Sequence, residues 1–159
     1  MKKYLFILLI SLIGFSSCER DDFCVQNPVT PSLILTFYDK DDVFELKKVQ
    51  RFSMIAQGKT DSLFTSITTD SIAIPLNSLA SETVYTLKMN ADDNLASNNK
   101  TATLTIKYNT EDDYVSRSCG YRVVFNDIDI THTSWIDNLS TSTISNINDQ
   151  TKAHVQVYY

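Results

Sequence analysis

The chain has 159 residues, with nineteen acidic and fourteen basic side chains and a net charge of −5. That balance argues against nucleic acid and against charge-driven binding to anionic lipid surfaces. The length fits one domain able to bury an adequate core, and no internal repeat or low-complexity tract is visible.

The chain opens Met1-Lys2-Lys3, which is short and positive, and continues with the apolar run "YLFILLISLIGF" from Tyr4 to Phe15. Small Ser16 and Ser17 precede Cys18. A charged start, a short apolar stretch and small residues at the cut form a secretion signal. A transmembrane anchor is the competing reading, but twelve helical residues reach about 18 Å, short of the roughly 30 Å hydrocarbon layer. "Phe15-Ser16-Ser17-Cys18" resembles a bacterial lipobox, which implies a cleaved signal over 1–17 and a lipid-modified Cys18 at the new terminus. Cleavage removes Lys2 and Lys3 but no acid, leaving 142 residues and a net charge of −7.

Lipid on Cys18 leaves two thiols, Cys24 and Cys119. In a disulfide-permissive compartment a Cys24–Cys119 bridge is the economical expectation; two separate buried cysteines acting as small hydrophobes are the alternative. The bridge would hold residues 18–30 as a short leash on a single domain over 31–159.

The remainder alternates with period two. "SLILTFY", residues 32–38, is apolar on both faces and suits a central strand. Further strands are predicted at 44–50, 52–57, 62–67 and 71–76. "TVYTLKM" points Tyr85, Leu87 and Met89 inward, and "TATLTIKY" does the same with Ala102, Leu104, Ile106 and Tyr108. Residues 121–131 form another strand with a change of phase: Cys119, Tyr121, Val123 and Phe125 share one parity, Ile128 and Ile130 the other. A bulge or tight turn near Asn126-Asp127 would reconcile them. Residues 135–147 read as a loop or short helix, and "HVQVYY" closes the chain with Val155 and Val157 on one face. Turns rich in Asn, Asp and Ser separate the strands. The pattern predicts an all-β, antiparallel β-sandwich of immunoglobulin-like or Greek-key type with about seven to nine strands.

No reactive constellation accompanies this fold. Two glycines, Gly58 and Gly120, follow Cys18, so neither a phosphate-cradling loop nor a nucleophile elbow is encoded. His132 and His154 have no metal-ligand spacing, and neither a metal nor a cofactor is expected. The acidic sets Asp39, Asp41, Asp42 and Glu111, Asp112, Asp113 lack the calcium-loop pattern and read as solvated turns. The single Trp135 lies near a loop, where it could join a platform for sugars or peptides; most tyrosines read as core residues.

"CERDDFC", "LILTFYDKDD", "IPLNSLASETVYTL" and "YVSRSCGYRVVFNDI" together resemble an uncharacterised family of flavobacterial lipoproteins. The resemblance implies an outer-membrane, lipid-anchored location and supports the Cys24–Cys119 pairing, but brings no catalytic residues. Arg20, Asp21 and Asp22 are similar to a surface-export signal, which would place the protein on the cell surface instead of the periplasmic face. Asp61-Ser62-Leu63 and Asp70-Ser71-Ile72 are similar to O-glycosylation motifs, implying sugars on Ser62 and Ser71. The expectation is a non-enzymatic envelope lipoprotein with a structural or binding role, its membrane contact made through the lipid. Its competitors are a glycan- or peptide-binding accessory module of an outer-membrane complex, with a protein or glycan partner, and an envelope hydrolase.

Overall fold

The computed structural model describes residues 23–24, 30–91, 95–140 and 144–159. Ten strands follow in chain order: β1 (Leu33–Tyr38), β2 (Val49–Ala56), β3 (Ser62–Thr69), β4 (Ser71–Ile74) and β5 (Glu82–Met89). After a 3-10 turn at Ala96–Asn98 come β6 (Lys100–Ser116), β7 (Gly120–His132), β8 (Asn138–Leu139), β9 (Asn146–Ile147) and β10 (Val155–Tyr158). They form two sheets, ordered β4-β1-β10-β8 and β3-β2-β5-β6-β7-β9, in a sandwich-like all-β architecture.

The chain divides into two compact units. The larger contains Thr30–Asp113 and Val123–Tyr159. In the smaller, the described residues are Phe23, Cys24 and Tyr114–Arg122.

Alternation builds the core of the larger unit. Along β5, Tyr85, Leu87 and Met89 are buried; along β6, Ala102, Leu104, Ile106 and Tyr108 are buried. The two strands pair in uninterrupted antiparallel register, with Leu87 opposite Ala102 and Tyr85 opposite Leu104. At Leu87–Ala102 a large side chain faces a small one, and at Tyr85–Leu104 two large ones meet across the ladder. Leu33, Leu35 and Phe37 from β1 and Val155 and Val157 from β10 supply the other sheet's share of the same hydrophobic cluster.

One ladder departs from the expected antiparallel pattern. β1 and β10 run parallel, with Leu35 opposite Val155 and Phe37 opposite Val157. This pairing sets β1 in the interior of its sheet, between β4 and β10.

Bulges mark the strand irregularities. Asp127 has φ +52°, in the left-handed region that Asp and Asn tolerate, and it sits where the inward parity of β7 changes. The β2–β3 ladder also shifts register, with Arg51 (φ +47°) and Ser66 (φ +52°) at two of the irregular points. β3 is an edge strand, and bulges of this kind disrupt a flat template that another chain could extend.

Two sequence expectations change and a third narrows. Residues 44–48 are not a strand: Val43, Phe44 and Leu46 are exposed, and only Leu46 makes an isolated bridge, to Tyr38. Of the loop or short helix expected at 135–147, the loop stands among the described positions, interrupted by the short strands β8 and β9. Tyr121 leaves the inward set and is 69% exposed, because the end of the β6–β7 segment to which it belongs lies in the smaller unit.

A candidate binding groove at Trp135

The groove begins with how the chain leaves β7. Ser134 adopts φ +65° and turns the chain, so that Trp135 follows immediately and Ile136 enters the core. Asp137 N–H then donates to the Tyr158 carbonyl at 2.9 Å, fixing this segment to β10. Trp135 and Tyr159 meet edge to face, with centroids 5.2 Å apart and planes at 79°. Tyr159 in turn packs edge to face on buried Phe37 at 6.3 Å, so the aromatic pair is rooted in the core.

The β1–β2 connection adds charge. The Asp39 carboxylate accepts the Asp41 N–H at 2.8 Å and pairs with the Lys47 ammonium at 2.9 Å. Both interactions hold its carboxyl below the ordinary carboxylate value, with the Lys47 hydrogen bond foremost. The same ammonium lies 4.6 Å from the Tyr159 ring centroid and donates to the Tyr159 main-chain oxygen at 2.8 Å. Burial and the nearby Asp39 charge push the Tyr159 phenol up to about 12, so it stays protonated at neutral pH. Lys40 pairs with Asp137 at 3.4 Å, an exposed contact of small energetic value.

These groups border a groove of about 660 Å³, with Lys48, Lys100 and the amides of Gln50, Asn90 and Asn98 completing its wall. The volume falls within the roughly 300–1,000 Å³ usual for small-ligand sites. Lys48 and Lys100 are exposed and form no ion pair among the described residues. The Trp135 indole N–H is buried without an acceptor there.

A second depression, about 710 Å³, is lined by residues around Gly58, Asp61, Pro75 and Tyr85. Its tyrosine is committed to structure: Tyr85 OH donates to the Pro75 carbonyl, and burial raises its pKa to about 12. Nearby, Tyr108 OH donates to the Asn77 carbonyl at 2.8 Å and bonds Thr83, whose hydroxyl accepts Asn77 N–H at 2.9 Å. This network pins the connection from β4 to β5, where the chain passes between sheets. In the slightly larger depression, therefore, Tyr85 and Thr83 are spent on the fold.

The other residues singled out by sequence lie apart. Cys18, Arg20, Asp21 and Asp22 fall outside the described residues. Cys24 and Cys119 form a disulfide with Cα atoms 4.7 Å apart. Ser62 is half-buried at the start of β3; Ser71 is exposed on β4 and its hydroxyl donates to the Leu35 carbonyl at 3.2 Å. His154 Nδ1 accepts the Ile34 N–H at 2.9 Å, and burial lowers its pKa. Asp42 accepts the Phe44 N–H at 3.1 Å, so the first acidic set shapes its own turn. Glu111 accepts from the Asn126 amide at 3.0 Å. Among the described residues, no group of three or more His, Cys, Asp or Glu side chains is placed to hold a metal ion.

Sequence reasoning singled out Trp135 but missed the lysines around it. They come from the β1–β2 connection and the start of β6, distant in sequence, and no spacing rule links them.

No curated protein and no solved structure matches this chain. The profile of a family of unknown function, DUF6452, matches residues 51–159, about two thirds of the length, and covers Trp135, Lys100 and Tyr159 but not Lys40, Lys47 or Lys48. The chain belongs to the DUF6452 family.

Proposed function

We propose that this protein is a lipid-anchored component of a bacterial cell envelope, held to the outer membrane through Cys18, with a binding role instead of a catalytic one. The observation that carries the anchor is the lipobox-like Phe15-Ser16-Ser17-Cys18 after an apolar run, and the Cys24–Cys119 disulfide fastens the chain six residues after it. A disulfide there makes the tether short and fits an oxidising compartment outside the cytoplasm. The flavobacterial lipoprotein resemblance agrees with this location. Arg20, Asp21 and Asp22 extend the proposal to display on the cell surface. Ser62 and Ser71 extend it to O-glycosylation, and the exposure of Ser71 leaves its position open to modification.

Support for binding over catalysis comes from what the displaced titratable groups do. Tyr85, Tyr108 and His154 each bond a main-chain group, Asp39 is held by Lys47 and a turn N–H, and Asp149 by Thr151; Tyr159, which does line the groove, is displaced upward, away from acid–base work at neutral pH. A hydrolase would need such a group facing substrate in a cleft.

The anchor is tested by expressing the full chain with a clickable palmitate analogue, beside Cys18→Ser. Label on the wild type and none on the variant, with the variant lost from the membrane fraction, is the expected result. Equal membrane retention of unlabelled Cys18→Ser would overturn it. Glycosylation is read from the masses of peptides containing Ser62 and Ser71.

A further inference from the structure

We propose that the Trp135 groove binds an acidic oligosaccharide, a glycan carrying carboxylate or sulfate groups; this deepens the binding role argued above and rests on it. The first argument is charge. The protein is acidic overall, yet among the described residues Lys40, Lys47, Lys48 and Lys100 border one groove against one lining acid, Asp137. Lys40 and Lys47 are engaged by Asp137 and Asp39, which leaves Lys48 and Lys100 to meet a ligand. Two exposed ammonium groups beside a cavity are point charges suited to carboxylate or sulfate oxygens.

The second argument separates a glycan from a peptide. An extended peptide is commonly read by adding a strand to a free sheet edge. β2, which contributes Gln50 to the wall, pairs with β3 and, from Ser53 onward, with β5, and the Gln50 carbonyl already accepts the Asn90 N–H. β6, which begins at Lys100, lies between β5 and β7. Recognition here falls to side chains: an indole, amides and ammonium groups. Sugars offer these their apolar ring faces, hydroxyls and acidic substituents. The buried indole N–H of Trp135 has no acceptor among the described residues, and leaving a buried donor unpaired is unfavourable. A ligand hydroxyl that draws Trp135 into a hydrogen bond relieves it.

Trp135 is the single tryptophan, so tryptophan emission reports this groove alone. The full-length protein in detergent is titrated with oligogalacturonate and with a chondroitin-sulfate oligosaccharide, against a neutral maltooligosaccharide and an oligoglutamate peptide. At least one acidic glycan is expected to shift the emission saturably and bind about tenfold or more tightly than the neutral glycan and the peptide, with affinity falling as salt rises. Lys48→Ala/Lys100→Ala is expected to lose about tenfold in affinity with an unchanged melting temperature, since both positions are exposed. Equal binding of the neutral glycan, or tighter binding of oligoglutamate, would overturn the acidic-glycan assignment while leaving a binding role. No emission change with any probe would overturn both, while the palmitate label judges the anchor separately.

Discussion

Two edge-to-face aromatic pairs of similar geometry occupy different surroundings in this molecule. Trp135 and Tyr159, 5.2 Å apart, are half-buried and backed by Phe37 in the core. Tyr114 and Tyr121, 5.4 Å apart, are both exposed and belong to the small unit that contains the Cys24–Cys119 bridge. Ring geometry alone therefore does not identify a site. The first pair is fixed by packing and bordered by cations; the second has a covalent link in its own unit.

That contrast can be broken at either end. Phe37→Ala removes a fully buried ring that touches both Phe52 and Tyr159, and a loss of about 3–5 kcal/mol is expected in chemical denaturation. Trp135 emission should move with it; an unchanged spectrum would detach the first pair from the core. Cys119→Ser opens a link spanning 95 residues of sequence and should cost about 2–4 kcal/mol, with Cys24→Ser costing the same and the double variant no more. An additive double loss would mean that each cysteine contributes through packing instead of the bridge.

Smaller effects sharpen the contrast. Tyr121→Ala removes an exposed ring and should cost about 1 kcal/mol or less. A loss matching Cys119→Ser would show that the tyrosine pair, not the bridge, holds the small unit. His154 gives the subtlest readout. Its folded pKa lies below the ordinary 6.5 because burial disfavours the imidazolium, while nearby Asp149 acts in the opposite sense. The unfolded chain therefore binds this proton first on acidification. The associated stability is fully present above pH 6.5 and is lost as pH falls through that value toward the folded pKa. NMR titration should place His154 below 6.5, and the acid loss of stability should be shallower in His154→Phe.

The sequence was legible where one buried face imposed strict alternation. β5 and β6 could be read residue by residue, and the parity change in β7 falls where Asp127 takes a positive φ. Alternation failed around Val43 to Leu46, where apolar residues lie exposed in a connection, and at Tyr121, whose parity matched a core that its part of the chain does not enter. The parallel β1–β10 ladder was hidden because pairing between distant strands is decided by topology, not by either strand's own pattern. The groove was half legible for the same reason. A single tryptophan after a strand attracts notice, but Lys40, Lys48 and Lys100 come together only once the connections have been folded onto it.

The most direct test is an amide chemical-shift map of the isotopically labelled full-length protein during titration with the tightest acidic oligosaccharide. The predicted perturbations centre on Lys40, Lys48, Lys100, Trp135, Asp137 and Tyr159. Perturbations centred instead on Gly58 to Leu63 and Pro75 to Tyr85, on Tyr114 to Arg122, or nowhere would contradict the assignment of the Trp135 groove.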